Sequence, residues 1–327
     1  MPERSAHRPV GGSGARLEPR LTRDGSYSLW SAHFGESFHS AEGALREARQ
    51  VFMGPAELER FTPGHSLTVV EVAVGTGTNT ATLLEAVERQ GLRLQWWGLE
   101  LDPAPLAMAL ADERFRAQWS PSVLERLAEL GRSDRLLWGD GRSRLRELVG
   151  PLAGRCDLIL LDAFSPRRCP ELWSLEVLGA LARLLAPGGR LLTYSSAAAV
   201  RRGLETVGLR LAAVPLPAMA RPEPDSRQVW SAGTVASPTA LPPTDRLRPL
   251  SPMEREHMAS RAGEPYRDPS GRASAAEILA SRARAQAGSG AEPTSAWQRR
   301  WGIERRRGVN GCSPGPAGGH PGRGARP

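Results

Sequence analysis

Four carboxylates stand at the ends of apolar runs: Glu71 after Val69-Val70, Glu100 after Trp96-Trp97-Gly98-Leu99, Asp140 after Trp138-Gly139, and Asp162 after Ile159-Leu160-Leu161. Just beyond the first lies Gly75-Thr76-Gly77-Thr78-Asn79, which opens into the helical run Thr80–Val87. Glycines let backbone N–H groups approach a ligand closely, and a helix N-terminus adds partial positive charge. In an open parallel sheet the carboxyl ends of the strands share one edge, so these four acids are placed to line one crevice. Any one of them alone reads equally well as a helix cap or a surface ion pair. Four at successive strand ends read as a binding site.

The chemistry of that site is cationic. A dinucleotide fingerprint needs a third glycine under the pyrophosphate, and Thr78-Asn79-Thr80 supplies none. Carboxylates repel a pyrophosphate but suit S-adenosylmethionine (SAM), whose sulfonium and ammonium are both positive. Gly75, Thr76, Gly77 and Asn79 are the expected cofactor loop. Glu100, 23 residues after Gly77, is placed to accept from ribose hydroxyls and Asp140 from the adenine amino group. Glu71 and Asp162 are expected to face the methionine ammonium. Asp162 is followed by Ala163-Phe164-Ser165-Pro166 and, a little later, Trp173. Methyl transfer to an amine needs a neutral, aligned and desolvated nucleophile. A carboxylate accepts a proton from that amine and orients its lone pair, and Asp162 is the candidate. Phe164 and Trp173 are candidates to stack on a nucleobase, with a core role for Trp173 equally open.

The elements that must position these residues alternate. Strands are expected near 67–73, 94–101, 135–139, 156–162, 190–195, 209–214 and 227–234, and helices near 78–90, 104–117, 121–130, 142–149, 171–185 and 197–207. This predicts an α/β fold: a doubly wound, mainly parallel, seven-stranded Rossmann-like SAM methyltransferase sheet over residues 66–235. Before it, residues 21–65 form an extension on the substrate side. There, aromatics alternate around Asp24-Gly25 as in a hairpin, and Ser40 is the expected N-cap of a helix from Ala41 to Phe52, ended by Gly54-Pro55. Residues 236–307 read as a linker and basic extension, with short helices over 253–284 and Trp297 and Trp301 four apart. Residues 1–20 and 308–327 carry no periodicity and are expected to be disordered.

The 327 residues include 43 basic side chains, all arginine, against 35 acids, a net charge of +8. The excess sits at the ends, with nine arginines against two glutamates from residue 281 onward. Arginine-rich tails suit a polyanion such as RNA, or simply solvate the chain. The three cysteines have no metal or disulfide spacing. No apolar run approaches the ~18 residues of a membrane span, and the N-terminus lacks a secretory core. A cytoplasmic protein is expected.

Four stretches, FHSAEGALREARQVF, EVAVGTGTN, LDAFSPRRCPELW and TYSSAAAVRRGL, together resemble the methyltransferase domain of the MnmC family. The resemblance covers about residues 21–235. It implies transfer of a methyl group from SAM to the amine of 5-aminomethyl-2-thiouridine at the tRNA wobble position. By motif it implies that Glu71, Gly75, Thr76, Gly77 and Asn79 form the SAM loop, that Glu100 and Asp140 hold ribose and adenine, and that Asp162, Phe164 and Pro166 belong to the LD-x-F-x-P acceptor motif. Arg201 and Arg202 match a helix that meets tRNA phosphate, or else an unpartnered surface helix. The family loop usually reads E-x-G-F-G-T-G, and Ala73 and Val74 replace its glycine and phenylalanine here. Many members carry a fused FAD oxidase. This chain is expected to be the standalone form, its aminomethyl precursor supplied by another enzyme. Two other readings remain at this stage: an aminopropyltransferase of the polyamine-synthase type, which shares the G-D-G turn and the fourth acid, and a non-catalytic RNA-binding module.

Overall fold

The computed structural model describes residues 16–217 and 227–303. Strands β1 (Leu17–Leu21), β2 (Tyr27–Ser31) and β3 (Glu36–Ser37) form a small antiparallel sheet. The expected hairpin is there, but its first strand begins within the stretch expected to be disordered. Leu17–Leu21 lacks a periodic pattern of its own and is held by backbone pairing with Tyr27–Ser31. The rest of that stretch, 1–15, and the tail 308–327 lie outside the described residues.

The expected helix starts later than Ser40. Helix α1 (Ala44–Glu47) follows Gly43, and its first free N–H groups, those of Ala44 and Leu45, reach the Ser26 hydroxyl at 2.8 and 3.2 Å. A cap supplied from the hairpin is invisible to local pattern. The chain continues through a π-helical stretch, Ala48–Met53, into α2 (Gly54–Ala56). Gly54-Pro55 therefore does not end the helix, because proline in a first turn lacks only an N–H that has no partner anyway.

The main sheet comprises β4 (Ser66–Val72), β5 (Arg93–Glu100), β6 (Leu136–Trp138), β7 (Cys156–Leu161), β8 (Leu185–Thr193), β9 (Arg210–Pro215) and β10 (Ser231–Ser237). Its order is β6-β5-β4-β7-β8-β10-β9, parallel except for β10. Helices α3 (Thr78–Gln90), α4 (Ala104–Ala111), α5 (Glu113–Arg116), α6 (Pro121–Gly131), α7 (Gly141–Val149), α8 (Leu175–Leu184) and α9 (Ala198–Thr206) make the crossovers. β7 is apolar without alternation because both of its faces are covered. Leu158 and Leu160 join the core with Leu83 of α3, whereas Ile159 and Leu161 join Leu178 and Leu181 of α8. The order reverses between β4 and β7, which places a crevice at their carboxyl ends.

The proline-rich stretch after β10 is packed down, with Arg248 bridging to Ala213 and with Leu247 and Leu250 buried. Beyond it come α10 (Pro252–Ala259), α11 (Ala275–Gly288) and α12 (Thr294–Arg300), the first two opened by Ser–Glu capping boxes. Trp297 is buried, stacks on His257 at 3.9 Å and donates to the Met253 carbonyl, while Trp301 donates to Glu256. The i, i+4 tryptophans thus dock this segment onto α10.

The joint is electrostatic. Glu254, 4 % exposed, faces Arg201 at 3.0 Å and Arg248 at 2.7 Å. Burial works to raise its pKa, yet the Arg248 and Arg201 guanidinium groups hold it down to about 2. Removing one partner of a buried pair strands the other charge and costs about 3–5 kcal/mol. Glu254→Ala is expected to lower unfolding free energy by that amount in urea titration, and a loss below about 1 kcal/mol would show that Arg201 finds enough partners in Ser231, Gly233 and Thr234.

Candidate active site

The loop after β4 turns in left-handed backbone, with Ala73 at φ 64°, Gly75 at 56° and Gly77 at 80°. Gly77 precedes α3 with no side-chain cap, and a Cβ there would lie 2.8 Å from Leu106. The loop is fastened by the end of β5. Glu100 Oε2 accepts from Gly75 N–H at 2.8 Å, while Oε1 accepts from Leu101 and Asp102 N–H at 2.6 and 3.1 Å. Burial nevertheless raises the Glu100 pKa. A carboxylate has about four lone-pair sites, so three are engaged here and roughly one is left for a ligand hydroxyl. Val74 is 5 % exposed and packs in the core, so the missing aromatic leaves no gap in a ligand surface.

Glu71 does not reach the crevice. It is fully buried beneath α3, and its Oε2 accepts from Thr80 Oγ1 at 2.7 Å and Trp96 Nε1 at 3.0 Å. Burial pushes its carboxyl up to about 7. Its expected contact with the methionine ammonium is therefore corrected to an anchor between helix and sheet.

Asp140 is exposed and N-caps α7 by accepting from Arg142 N–H at 2.8 Å. Burial works to raise its pKa, but the Arg142 fork, 2.7 Å away, brings it below the usual value. Arg142 also donates to Asp268 at 2.7 Å and to the Ala273 carbonyl at 2.8 Å. The segment between α10 and α11 thereby fixes the arginine that fixes Asp140. No sequence signal marked Asp268.

At the ends of β7 and β8 lies a cavity of about 240 Å³. Its lining includes Glu36, Phe38, His39, Glu47, Asp162, Phe164 and Tyr194. Asp162 Oδ2 accepts from the Asn79 amide at 2.6 Å. Phe164 stacks on Phe34 with centroids 4.2 Å apart and meets Phe38 edge-on at 4.9 Å. Phe38 in turn lies over Gly75, where an added Cβ would approach its ring to 3.1 Å. The N-terminal extension therefore roofs both the loop and the cavity. Burial lowers His39 to a pKa of about 4, which leaves the ring neutral. A larger groove of about 580 Å³ on the flank of α3 contains none of the expected site residues.

Three further expectations change. Trp173 is 1 % exposed and donates to the Phe164 carbonyl at 2.8 Å, so it supports the motif from the core and offers no stacking face. Pro166 is buried as well. Arg201 is 2 % exposed and engaged by Glu254, Thr234 and Ser231, so it cannot meet phosphate. Arg202 is exposed and pairs with Glu205 at 3.5 Å on the same helix. Glu36, Glu47 and Tyr194 were missed: nothing in local spacing links Glu36 and Glu47 to a strand end over a hundred residues away, and Tyr194, just beyond β8, is not an acid.

A seven-stranded sheet of this order, with a glycine loop after β4 and acids at the ends of β5, β6 and β7, defines the class of SAM-dependent methyltransferases. Residues 115–221 match the family described as S-adenosyl-L-methionine-dependent methyltransferase. Proteins from two Pseudomonas aeruginosa strains, named tRNA 5-methylaminomethyl-2-thiouridine biosynthesis bifunctional protein MnmC, are 36% identical over 203 residues. Those matches cover 57% of this chain but 31% of the relatives, so the chain spans about a third of their length. The crystal structure of MnmC2 from Aquifex aeolicus superposes with a TM-score of 0.69 at 28% identity, covering 85% of this chain and 87% of that one. The described domain is similar in sequence and fold to MnmC-type methyltransferase domains.

The loop carries strain that the family pattern avoids. A left-handed non-glycine residue costs about 1–2 kcal/mol, and glycine costs about 0.4–1 kcal/mol of unfolded-state entropy. Ala73→Gly is accordingly expected to stabilise the fold by roughly 0.5–1 kcal/mol in chemical denaturation; destabilisation would mean that the Ala73 methyl makes packing contacts outweighing the strain.

Proposed function

We propose that this chain transfers a methyl group from SAM to the primary amine of 5-aminomethyl-2-thiouridine at the wobble position of tRNA. The observation that carries this reading is the cavity beside the glycine loop, walled by aromatics and by Glu36, Glu47 and Asp162, with a neutral His39 as its one basic side chain. Such a site suits a flat base bearing a cationic amine. The relatives named for this nucleoside support the choice of substrate.

The residues present fit the cofactor. Gly75, Thr76, Gly77 and Asn79 would hold its methionine part, Glu100 a ribose hydroxyl and Asp140 the adenine amino group. When bound it supplies an electrophilic methyl group. Asp162 orients the amine, Phe164 faces the base, and the roof formed by residues 34–40 excludes water so that the nucleophile is presented desolvated. In this reading residues 21–65 serve the substrate side, residues 66–235 the cofactor, and residues 236–303 brace Asp140 from behind. The arginine-rich surface draws the polyanion, with Arg202 among its exposed members. A separate enzyme supplies the aminomethyl precursor, and the protein works in the cytoplasm, where tRNA is.

In a strain lacking the gene, mass spectrometry of tRNA nucleosides is expected to show 5-methylaminomethyl-2-thiouridine replaced by its aminomethyl precursor. An unaltered nucleoside profile would overturn the substrate. In the purified enzyme, Asp162→Asn is expected to keep the fold and lower methyl transfer by about 10²-fold or more. A rate within a few-fold of wild type would remove Asp162 from the reaction.

A further inference from the structure

An amine substrate brings a proton that must leave. A primary alkylamine resembles lysine, with a pKa near ~10.4, and its ammonium form has no lone pair to attack a methyl group. A lone aspartate at its ordinary ~3.9 is a weak acceptor for that proton. The cavity holds a second carboxylate that can answer this. Glu47, the last residue of α1, lines it together with Asp162. Each carboxylate spends one oxygen on a hydrogen bond: Glu47 Oε2 accepts from Ser40 N–H at 3.0 Å, and Asp162 Oδ2 accepts from Asn79. The Ser40 side chain also lies against Glu47, and neither carboxylate has an ion pair among the described residues. This contrasts with Glu254, which is buried with two arginines.

We infer that Glu47 and Asp162 form a paired proton acceptor for the substrate ammonium, two of the three carboxylates of one cavity receiving a single proton between them. The inference rests on the amine reading above and names the group that makes the amine reactive. The ammonium docks against the ionised pair, and one N–H proton passes to a carboxylate oxygen of the pair. The freed nitrogen lone pair forms the N–CH₃ bond as the S–CH₃ bond breaks, its electron pair staying on sulfur. The product is a secondary ammonium, and the proton held by the pair returns to solvent.

The surroundings favour such a pair. Burial, then the Glu47 charge, hold Asp162 well above the usual carboxylate range, and burial raises Glu47 too. Two carboxylates that share one cavity titrate as a unit, and binding the first proton relieves their repulsion. Three other polar side chains of the cavity face them. Glu36 Oε2 accepts from Ser165 N–H, His39 is neutral, and the Tyr194 phenol is pushed upward by burial and donates to the Ala163 carbonyl. Glu71, under the loop, adds repulsion to Asp162 without entering the cavity.

The test is Glu47→Gln in the full chain, assayed on tRNA bearing the aminomethyl group. General-base loss predicts a fall in kcat of about 10²-fold at pH 7. The deficit should shrink toward pH 9.5, where the amine deprotonates unaided, with SAM affinity by calorimetry unchanged. A second readout needs no activity: with the like charge removed, the thermal midpoint of Glu47→Gln should equal or exceed that of wild type at pH 8.5, with the advantage gone at pH 5. Glu47→Asp should restore the wild-type pH profile in part. A wild-type rate and profile in Glu47→Gln would overturn the inference. So would a deficit equal at every pH, which marks a structural role. If wild type leaves the aminomethyl tRNA unmethylated at every pH, the amine reading itself fails and takes this inference with it.

Discussion

The site depends on one carboxylate that is spent on backbone. Glu100 gathers the N–H groups of Gly75, Leu101 and Asp102, and so ties the end of β5 to the loop after β4. The edge is fastened further by Ala73 N–H to the Leu99 carbonyl and Asp162 N–H to the Val72 carbonyl, each across a strand pair. Parallel register carries the rest: Val72 opposite both Leu99 and Leu161 brings the residues just beyond all three strands to one line. Glycine at 75 and 77 is then required by backbone shape, since the chain must turn with positive φ between strand and helix. A ligand loop and a sheet edge are in this protein the same structural feature.

The acids of this fold differ in what compensates their charge. Glu254 is held by Arg201 and Arg248, and Asp268 by Arg142 and the N–H groups of Arg272 and Ala273. Their charges are compensated, and they join distant segments of chain. Asp162 and Glu47 have no such cation, and burial leaves their charged forms costly. Glu71 is buried without a cation as well, so what sets Asp162 and Glu47 apart is that both line one cavity.

What the sequence makes legible follows from which forces are local. The strands of the main sheet are readable because continuous apolar runs between helical repeats have few alternatives, and Glu100, Asp140 and Asp162 are readable because strand ends are. Arg201 misleads: it looks like a surface arginine on a polar helix face, and its partner Glu254 lies beyond an irregular proline-rich stretch. Ser26 capping α1, Asp268 holding Arg142 and Glu47 reaching the cavity fail to show for the same reason, being side-chain contacts between segments with no shared period. Trp173 shows the limit differently, since an aromatic after a strand-end acid has one appearance whether it stacks on a base or holds up the loop, and only its Nε1 bond to Phe164 decides.

Asn79 is where the two halves of the site meet. It sits in the first turn of α3, so its position is set by the left-handed turn at Gly77 and through it by Glu100. Its amide donates to Asp162, so the orientation of the acid follows the shape of the loop. A ligand that settles the loop also settles Asp162, and anything that loosens the loop loosens the acid. The aromatic roof adds a second constraint from the other side, because Phe38 fills the space beside Gly75 and meets Phe164 edge-on. The glycine loop and the cavity are held in mutual register by one amide and one ring, and an in-line group transfer, which needs three atoms aligned, depends on such register more than on any single strong contact.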